Sequence, residues 1–287
     1  MKRQLMLGIL LMLTVSLVSA QDEPETTATP PPGTDIELPL ASEDLPAGWT
    51  LVWNDEFTDP AINRRNWGFA TGGNGFGNSE RQHYTDRPEN AYIEAGNLVI
   101  EARAERYRGN DYTSAKLQTL VLADWVYGRI DIRAQMPSGQ GIWPAFWMLP
   151  SRGMYGNWPN GGEIDIMELL GHEPETVYGT LHYADASGHL QSGTSYTLDE
   201  GTFADDFHTF TLIWEPESIR WYVDGVLYQE QTEWTTTIAD YPAPFDQKFY
   251  LILNLAVGGN WPGYPDATTE FPQRLLIDYV RVYQLET

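Results

Sequence analysis

Apolar and polar residues alternate along most of the chain from Trp49 onward, and few segments have helical periodicity. The alternation is regular in three segments, 97–103, 129–135 and 209–214. A period of two is typical of strands that turn one face toward a core. Asp224-Gly225 lies between two such runs and predicts a hairpin turn. The pattern therefore predicts an all-β domain, folded as one two-sheet antiparallel sandwich.

A different apolar pattern opens the chain. Lys2 and Arg3 precede the apolar run Leu5–Val18, and small residues up to Ala20 offer a cleavage site. This layout predicts a secretory signal peptide over residues 1–20. A retained membrane anchor is the alternative, but the run is shorter than the roughly 20 apolar residues that span a bilayer.

Residues 21–46 are rich in proline, threonine and acidic residues and have no periodic apolar face, so they predict a linker. The folded domain is then expected to cover residues 47–287. We expect a secreted protein, extracellular or periplasmic, with no membrane attachment once the signal peptide is removed.

The composition excludes several classes of partner and metal site and favours one class of partner. The chain has no cysteine, which excludes a disulfide framework and thiolate metal sites. It has 17 basic and 40 acidic residues, a formal charge of -23, which disfavours nucleic acid and acidic membrane surfaces as partners. Eleven tryptophans in so acidic a protein favour a neutral partner such as a carbohydrate, whose C–H faces stack on aromatic rings.

The segment Gly161–Leu169 carries the candidate chemistry. On a regular strand Glu163 and Asp165 share one face, whereas Glu168 has the wrong parity. A β-bulge at Met167 would return Glu168 to that face, and bulges are enriched beside active sites. A solvated acidic strand face and a calcium site built from the three acids are the alternative interpretations.

Three neighbouring carboxylates cannot all ionise at low cost, so the pKa of at least one should rise. One acid would then be an ionised nucleophile and another a proton donor, as in glycosidases. Strand parity places Trp143 and Trp147 together as a stacking platform, although both could belong to the core.

Several motifs occur in an order that resembles glycoside hydrolase family 16, over residues 49–283. They are Trp53–Phe57, Asn78–Tyr84, Gly141–Leu149, Glu163–Glu168, Gly179–His182, Leu253–Trp261 and Asp278–Val282. The extra Met167 is similar to the laminarinase-type endo-1,3-β-glucanases of that family. The resemblance implies a β-jelly-roll sandwich with a concave substrate cleft, in which Glu163 is the nucleophile, Glu168 the general acid/base and Asp165 their electrostatic helper.

The same resemblance implies other roles. It adds Asn78, Arg103, His182, Asn254 and Trp261 to the expected substrate-binding residues, beside Trp143 and Trp147 from strand parity and Trp158 from its Gly/Asn/Pro-rich loop near the acids. It places one structural calcium, not needed for the chemistry, at Glu56, the Gly96 carbonyl and Asp278. For Trp158 and His182 a purely structural role is the alternative.

The resemblance implies an endo-1,3-β-glucanase that acts on laminarin-like β-glucans with retention of configuration. With the predicted signal peptide we expect it to be secreted, and we expect a monomer. Hydrolysis of mixed-linkage glucan or another polysaccharide, and transglycosylation, are the nearest alternatives. A non-catalytic lectin could use the same sandwich and tryptophans, but it would not need three acids on one face.

Overall fold

The computed structural model describes residues 48–286. These residues form seventeen β-strands and no helix, so the all-β prediction is confirmed. The predicted signal peptide and linker, residues 1–20 and 21–46, lie outside the described residues, and export stays a prediction. No helix long and apolar enough to cross a membrane is found in the described part of the chain.

The strands follow one another in this order: β1 (Trp49–Asp55), β2 (Gly68–Phe69), β3 (Gln82–Tyr84), β4 (Ala91–Glu94), β5 (Asn97–Tyr107), β6 (Asn110–Ser114), β7 (Lys116–Gln118), β8 (Gly128–Gln135), β9 (Ile142–Pro150), β10 (Glu163–Leu169), β11 (Thr176–Asp185), β12 (Gly188–Thr197), β13 (His208–Glu215), β14 (Ser218–Val223), β15 (Val226–Gln231), β16 (Phe249–Val257) and β17 (Gln273–Leu285). The three segments with regular alternation lie in β5, β8 and β13.

Two sheets enclose one core. The ten-stranded sheet has the order β15-β14-β13-β8-β17-β5-β6-β3, with β1 beside β17 and β4 beside β5. The seven-stranded sheet has the order β12-β11-β10-β9-β16-β7-β2. Strands β3 and β6 pair in parallel, and β9, β10, β11 and β16 pair antiparallel. The predicted antiparallel jelly-roll sandwich is confirmed.

The core explains which faces of the seven-stranded sheet remain open. In β9 Phe146 and Met148 are fully buried, and in β16 Leu251 and Leu253 are buried in the same way. Phe146 meets Phe210 of the other sheet with ring centroids 6.1 Å apart. Because side chains alternate along a strand, the residues between these positions point away from the core. The outer face of β9, β10 and β16 is therefore available for a site.

The predicted hairpin is also confirmed. Val223 of β14 pairs with Val226 of β15, so Asp224 and Gly225 form a two-residue turn. Both turn residues have positive φ, 48° for Asp224 and 79° for Gly225. This is the backbone that the favoured hairpin turn requires, and aspartate and glycine adopt it at low cost.

A buried ion pair fastens the first strand to the last. The Glu56 carboxylate follows β1 and accepts two hydrogen bonds from Arg281 of β17, at 2.9 Å from Nε and 2.8 Å from Nη2. We expect Arg281→Met to lower the free energy of unfolding by about 3–5 kcal/mol, because it leaves a buried carboxylate without its cation. Urea denaturation at pH 7 measures the change.

Lys248→Met is the matched control. Lys248 binds Asp124 at 2.8 Å, but its side chain is 60% exposed. Exposed pairs contribute about 0–1 kcal/mol, so this variant should remain near the parent protein. Equal losses of unfolding free energy in the two variants would show that the Arg281 pair does not fasten β1.

Candidate active site

The acidic strand β10 contains the predicted bulge. Asp165 pairs with Thr180 of β11, and the next aligned residue on β10 is Glu168, which pairs with Tyr178. Ile166 and Met167 therefore lie opposite the single residue Gly179, and both are buried. The bulge predicted at Met167 is confirmed, with its extra residue shared between Ile166 and Met167. As a result Glu168 returns to the face of Glu163 and Asp165.

A tryptophan from the opposite sheet stabilises the bulge. Trp221 of β14 donates its indole N–H to the Asp165 carbonyl at 2.8 Å. A Cβ at position 179 would lie 2.6 Å from Cδ1 of the Trp221 ring, which is closer than a real contact allows. Glycine at 179 therefore leaves room for the indole beside the bulge, and the indole satisfies a buried carbonyl there.

The side chains of the acids have different neighbours. Trp143 of β9 donates its indole N–H to Oε1 of Glu168 at 3.1 Å. His182 of β11 places Nε2 3.1 Å from Oδ2 of Asp165. Its other ring nitrogen, Nδ1, lies 2.9 Å from Nε2 of His189 on β12. Glu168 and Asp165 thus have different neighbours, on β9 and on β11.

Burial and mutual repulsion raise the pKa values of all three acids. Burial, with repulsion from Asp165, raises the pKa of Glu163 to about 8, while His182 and Lys116 act in the opposite direction. Burial also raises the pKa of Asp165. Burial together with repulsion from Asp165 and Glu163 raises the pKa of Glu168 well above its usual range. His182 lowers the pKa of both glutamates, whereas Lys116 acts on Glu163, so the surroundings of the two glutamates differ in the charge of Lys116.

The acids line one cavity together with four other residues that the sequence singled out. These are Asn78, Trp143, Trp147 and Asn254. Trp147 donates its indole N–H to Oδ1 of Asn254 at 2.7 Å, and Asn254 in turn donates to the Tyr84 hydroxyl at 3.2 Å. Ala145 lies between Glu168 and Asn254 in the register of β10, β9 and β16, and its small side chain leaves the floor of the cavity open.

Two exposed tryptophans flank this cavity. Trp158 is 54% exposed, and its ring centroid lies 4.8 Å from that of His189 and 6.3 Å from that of His182. Trp261 is 44% exposed and makes edge contacts with Trp143 and Tyr178. Both rings lie beside residues that contact or pair with the acids, and both still offer open surface to a ligand.

Arg103 lies elsewhere. It belongs to β5 of the ten-stranded sheet, and its guanidinium binds Glu101 on the same strand. It is not among the residues that line the cavity. The structure therefore does not bring Arg103 together with the three acids, and its predicted contact with substrate stays a prediction.

The structure adds charged residues that the sequence argument had not singled out. Lys116 and Glu80 line the same cavity, and the Lys116 ammonium lies 4.3 Å from the centre of the Trp147 ring. Burial lowers the pKa of Lys116 to about 8, although Glu80 and Glu163 act against the shift. The sequence did offer a signal for Lys116, because it lies between two apolar residues, Ala115 and Leu117, and both are fully buried. Strand alternation then turns it to the outer face.

Two of the three residues expected to hold calcium are engaged by arginines. Both carboxylate oxygens of Glu56 bind Arg281, and Oδ2 of Asp278 accepts a hydrogen bond from Arg133 at 2.6 Å. Gly96 lies in the β4–β5 turn, one residue before β5. Because both of its oxygens bind Arg281, the Glu56 side chain does not fit as a calcium ligand. The calcium site stays a prediction.

Comparisons with known proteins agree with this geometry. The family model described as "Glycosyl hydrolases family 16" matches residues 78–281. The chain is 49% identical to a β-glucanase of Rhodothermus marinus, over 82% of the chain and 85% of that protein. It is 40% identical to glucan endo-1,3-β-glucosidase A1 of Niallia circulans, over 87% of the chain but 40% of that protein. The X-ray structure of the R. marinus laminarinase matches 83% of the chain and 98% of its own, with a TM-score of 0.77 and 47% identity.

The space beside Gly179 gives a test of the bulge. We expect Gly179→Ala to lower the free energy of unfolding by about 1–3 kcal/mol, because the added methyl group overpacks the Trp221 ring. Gly68→Ala in β2 of the same sheet is the control, since a Cβ there has its nearest neighbour at 3.6 Å. Urea denaturation compares the two variants. If Gly179→Ala left the free energy of unfolding unchanged, the indole would not need this space.

Lys116 gives a test of the electrostatics. Its positive charge favours the ionised form of Glu163, so Lys116→Met should raise the pKa of the Glu163 carboxyl group. The titration of that group, followed by ¹³C NMR of the side-chain carboxyl, measures the shift. Lys248→Met, at an exposed pair, should leave the titration unchanged. An unchanged or lowered pKa in Lys116→Met would contradict the assignment.

Proposed function

The chain belongs to glycosyl hydrolases family 16 and is a glycosidase; on that premise we propose that it cleaves internal β-1,3-glucosidic bonds of laminarin-like glucans. The observation that carries this proposal is the placement of Glu163, Asp165 and Glu168 on one face by the bulge. Their unequal surroundings supply one carboxylate and one proton donor in the same cleft, which is the pair that glycoside hydrolysis needs.

The proposed reaction is a double displacement with retention of configuration. Glu163 attacks the anomeric carbon while Glu168 transfers its proton to the departing glycosidic oxygen. A water molecule that gives its proton to Glu168 then attacks the glycosyl-enzyme, releases the sugar and restores free Glu163. Each step breaks one C–O bond as another forms, and the proton returns to Glu168 at the end.

Trp143 fixes the orientation of the proton donor. Oε1 of Glu168 accepts the indole N–H of Trp143, so the acidic proton of Glu168 resides on Oε2. This leaves a single oxygen to donate toward the substrate. Asp165 lies between the two glutamates and is 2% exposed, and its own ionisation sets the balance of charge between them.

The lining of the cleft supports a neutral polysaccharide as substrate. Exposed rings of Trp158 and Trp261 lie on either side of the acids and suit the C–H faces of sugars. The names of the relatives, a β-glucanase, an endo-1,3-β-glucosidase and a laminarinase, support β-1,3-linked glucan. Mixed-linkage glucan is the second candidate, because its internal glucosyl units present the same ring faces.

The substitution Glu163→Gln or Glu168→Gln should lower kcat/KM on laminarin by at least about 10³-fold, since each removes a group that acts in the transition state. Reducing-end release on laminarin and lichenan, measured beside circular dichroism of each variant, checks the result. Glu215→Gln is the control, because Glu215 pairs with Arg220 on the ten-stranded sheet. It should keep full activity.

Several outcomes would count against this function. Near-parent hydrolysis by a folded Glu163→Gln variant would remove Glu163 from the chemistry. Faster release from lichenan than from laminarin would favour the mixed-linkage candidate. Binding of laminarin without hydrolysis by the parent protein would favour a lectin.

A further inference from the structure

Three metal-ligating side chains converge at the nucleophile end of the acidic strand. One ligand atom each from Glu163, Asp165 and His182 lie within 4.8 Å of one another, and this is the one such group of three or more found in residues 48–286. Nε2 of His182 lies 3.1 Å from Oδ2 of Asp165. Two ligands of a tetrahedral zinc ion lie about 3.3 Å apart when each bond is about 2.0 Å long. Two donors are thus already placed at the spacing of a shared metal.

Asp165 provides a second and independent observation. Its side chain is 2% exposed, and Oδ2 has no hydrogen-bond partner in the described structure. The contact with His182 is short, yet it does not have the geometry of a hydrogen bond. A buried carboxylate oxygen without a partner is costly, and coordination to a cation would satisfy it.

His189 holds His182 in the form that a metal requires. Its Nε2 lies 2.9 Å from Nδ1 of His182, and the two rings stack with centroids 5.1 Å apart. When the proton of the His182 ring is on Nδ1, Nδ1–H donates a hydrogen bond to Nε2 of His189. Nε2 of His182 then carries a lone pair 3.1 Å from Oδ2 of Asp165, free for a cation. Metal-binding histidines are commonly fixed by such a second hydrogen bond.

We propose that Glu163, Asp165 and His182 bind one zinc-class divalent cation, which blocks the nucleophile. The imidazole nitrogen with two carboxylates matches the ligands of zinc, copper or nickel, whereas calcium and magnesium prefer oxygen alone. Water would complete four-coordination. The formal charge of -23 favours the approach of a cation. The binding site itself stands on geometry, and only its inhibitory effect rests on the proposed function.

Isothermal titration of the purified protein with zinc chloride, without substrate, tests the site directly. We expect one zinc ion per chain and no comparable heat with calcium chloride. His182→Ala should abolish this binding, and His189→Phe should weaken it about 10–100-fold by removing the acceptor for Nδ1–H. His172→Ala is the control, since His172 also lies beside a carboxylate, 3.9 Å from Glu173, and is partly exposed. It should bind zinc as the parent does.

Equal affinity in the parent and His182→Ala, or loss of binding in His172→Ala, would assign the zinc to a surface histidine and overturn the proposal. Hydrolysis of laminarin should fall as zinc saturates the site and recover on addition of EDTA. Full activity at saturating zinc would overturn the inhibitory role. A protein that binds zinc at His182 but hydrolyses no glucan would instead contradict the proposed function, so the two failures are distinguishable.

Discussion

The bulge in β10 is the constraint on which the site depends. A shift of one residue along a strand moves every later side chain to the opposite face. Without the extra residue at Ile166 and Met167, Glu168 would point into the core, among fully buried residues such as Phe146 and Leu181. The Trp221 hydrogen bond to the Asp165 carbonyl and the missing side chain at Gly179 keep the bulge in place. The core and the site are therefore coupled through one indole ring.

The ionisation of the three acids follows from their placement on one face. Three carboxylates in one cleft cannot share their ionisation equally, and their neighbours decide the order. His182 favours the ionised form of both glutamates; Lys116 adds to this effect at Glu163, whereas Glu168 is repelled by both Asp165 and Glu163. The same concentration of negative charge and ligand atoms makes the nucleophile end attractive to a borderline metal ion. The proposed catalysis and the proposed metal inhibition would thus both follow from one arrangement of charge.

Local sequence patterns predicted much of the fold and of the candidate site. Parity in β10 indicated the bulge, and parity in β9 placed Trp143 and Trp147 on the outer face. The pattern could not show Trp221, because a contact between sheets depends on strand order and not on spacing along the chain. His189 was missed for a related reason, since it reaches His182 from the neighbouring strand β12. The arginine partner of Glu56 lies 225 residues away, which no local signal reports.

The most direct test is to trap the covalent intermediate. A laminari-oligosaccharide with fluorine at C2 of the reacting sugar and a good leaving group forms the glycosyl-enzyme but hydrolyses it slowly, because fluorine disfavours the charged transition state. Peptide mass spectrometry then locates the label. Our account predicts one sugar per chain, attached to Glu163. A label on Glu168 or Asp165, or turnover of natural laminarin with inverted product and no label, would contradict it.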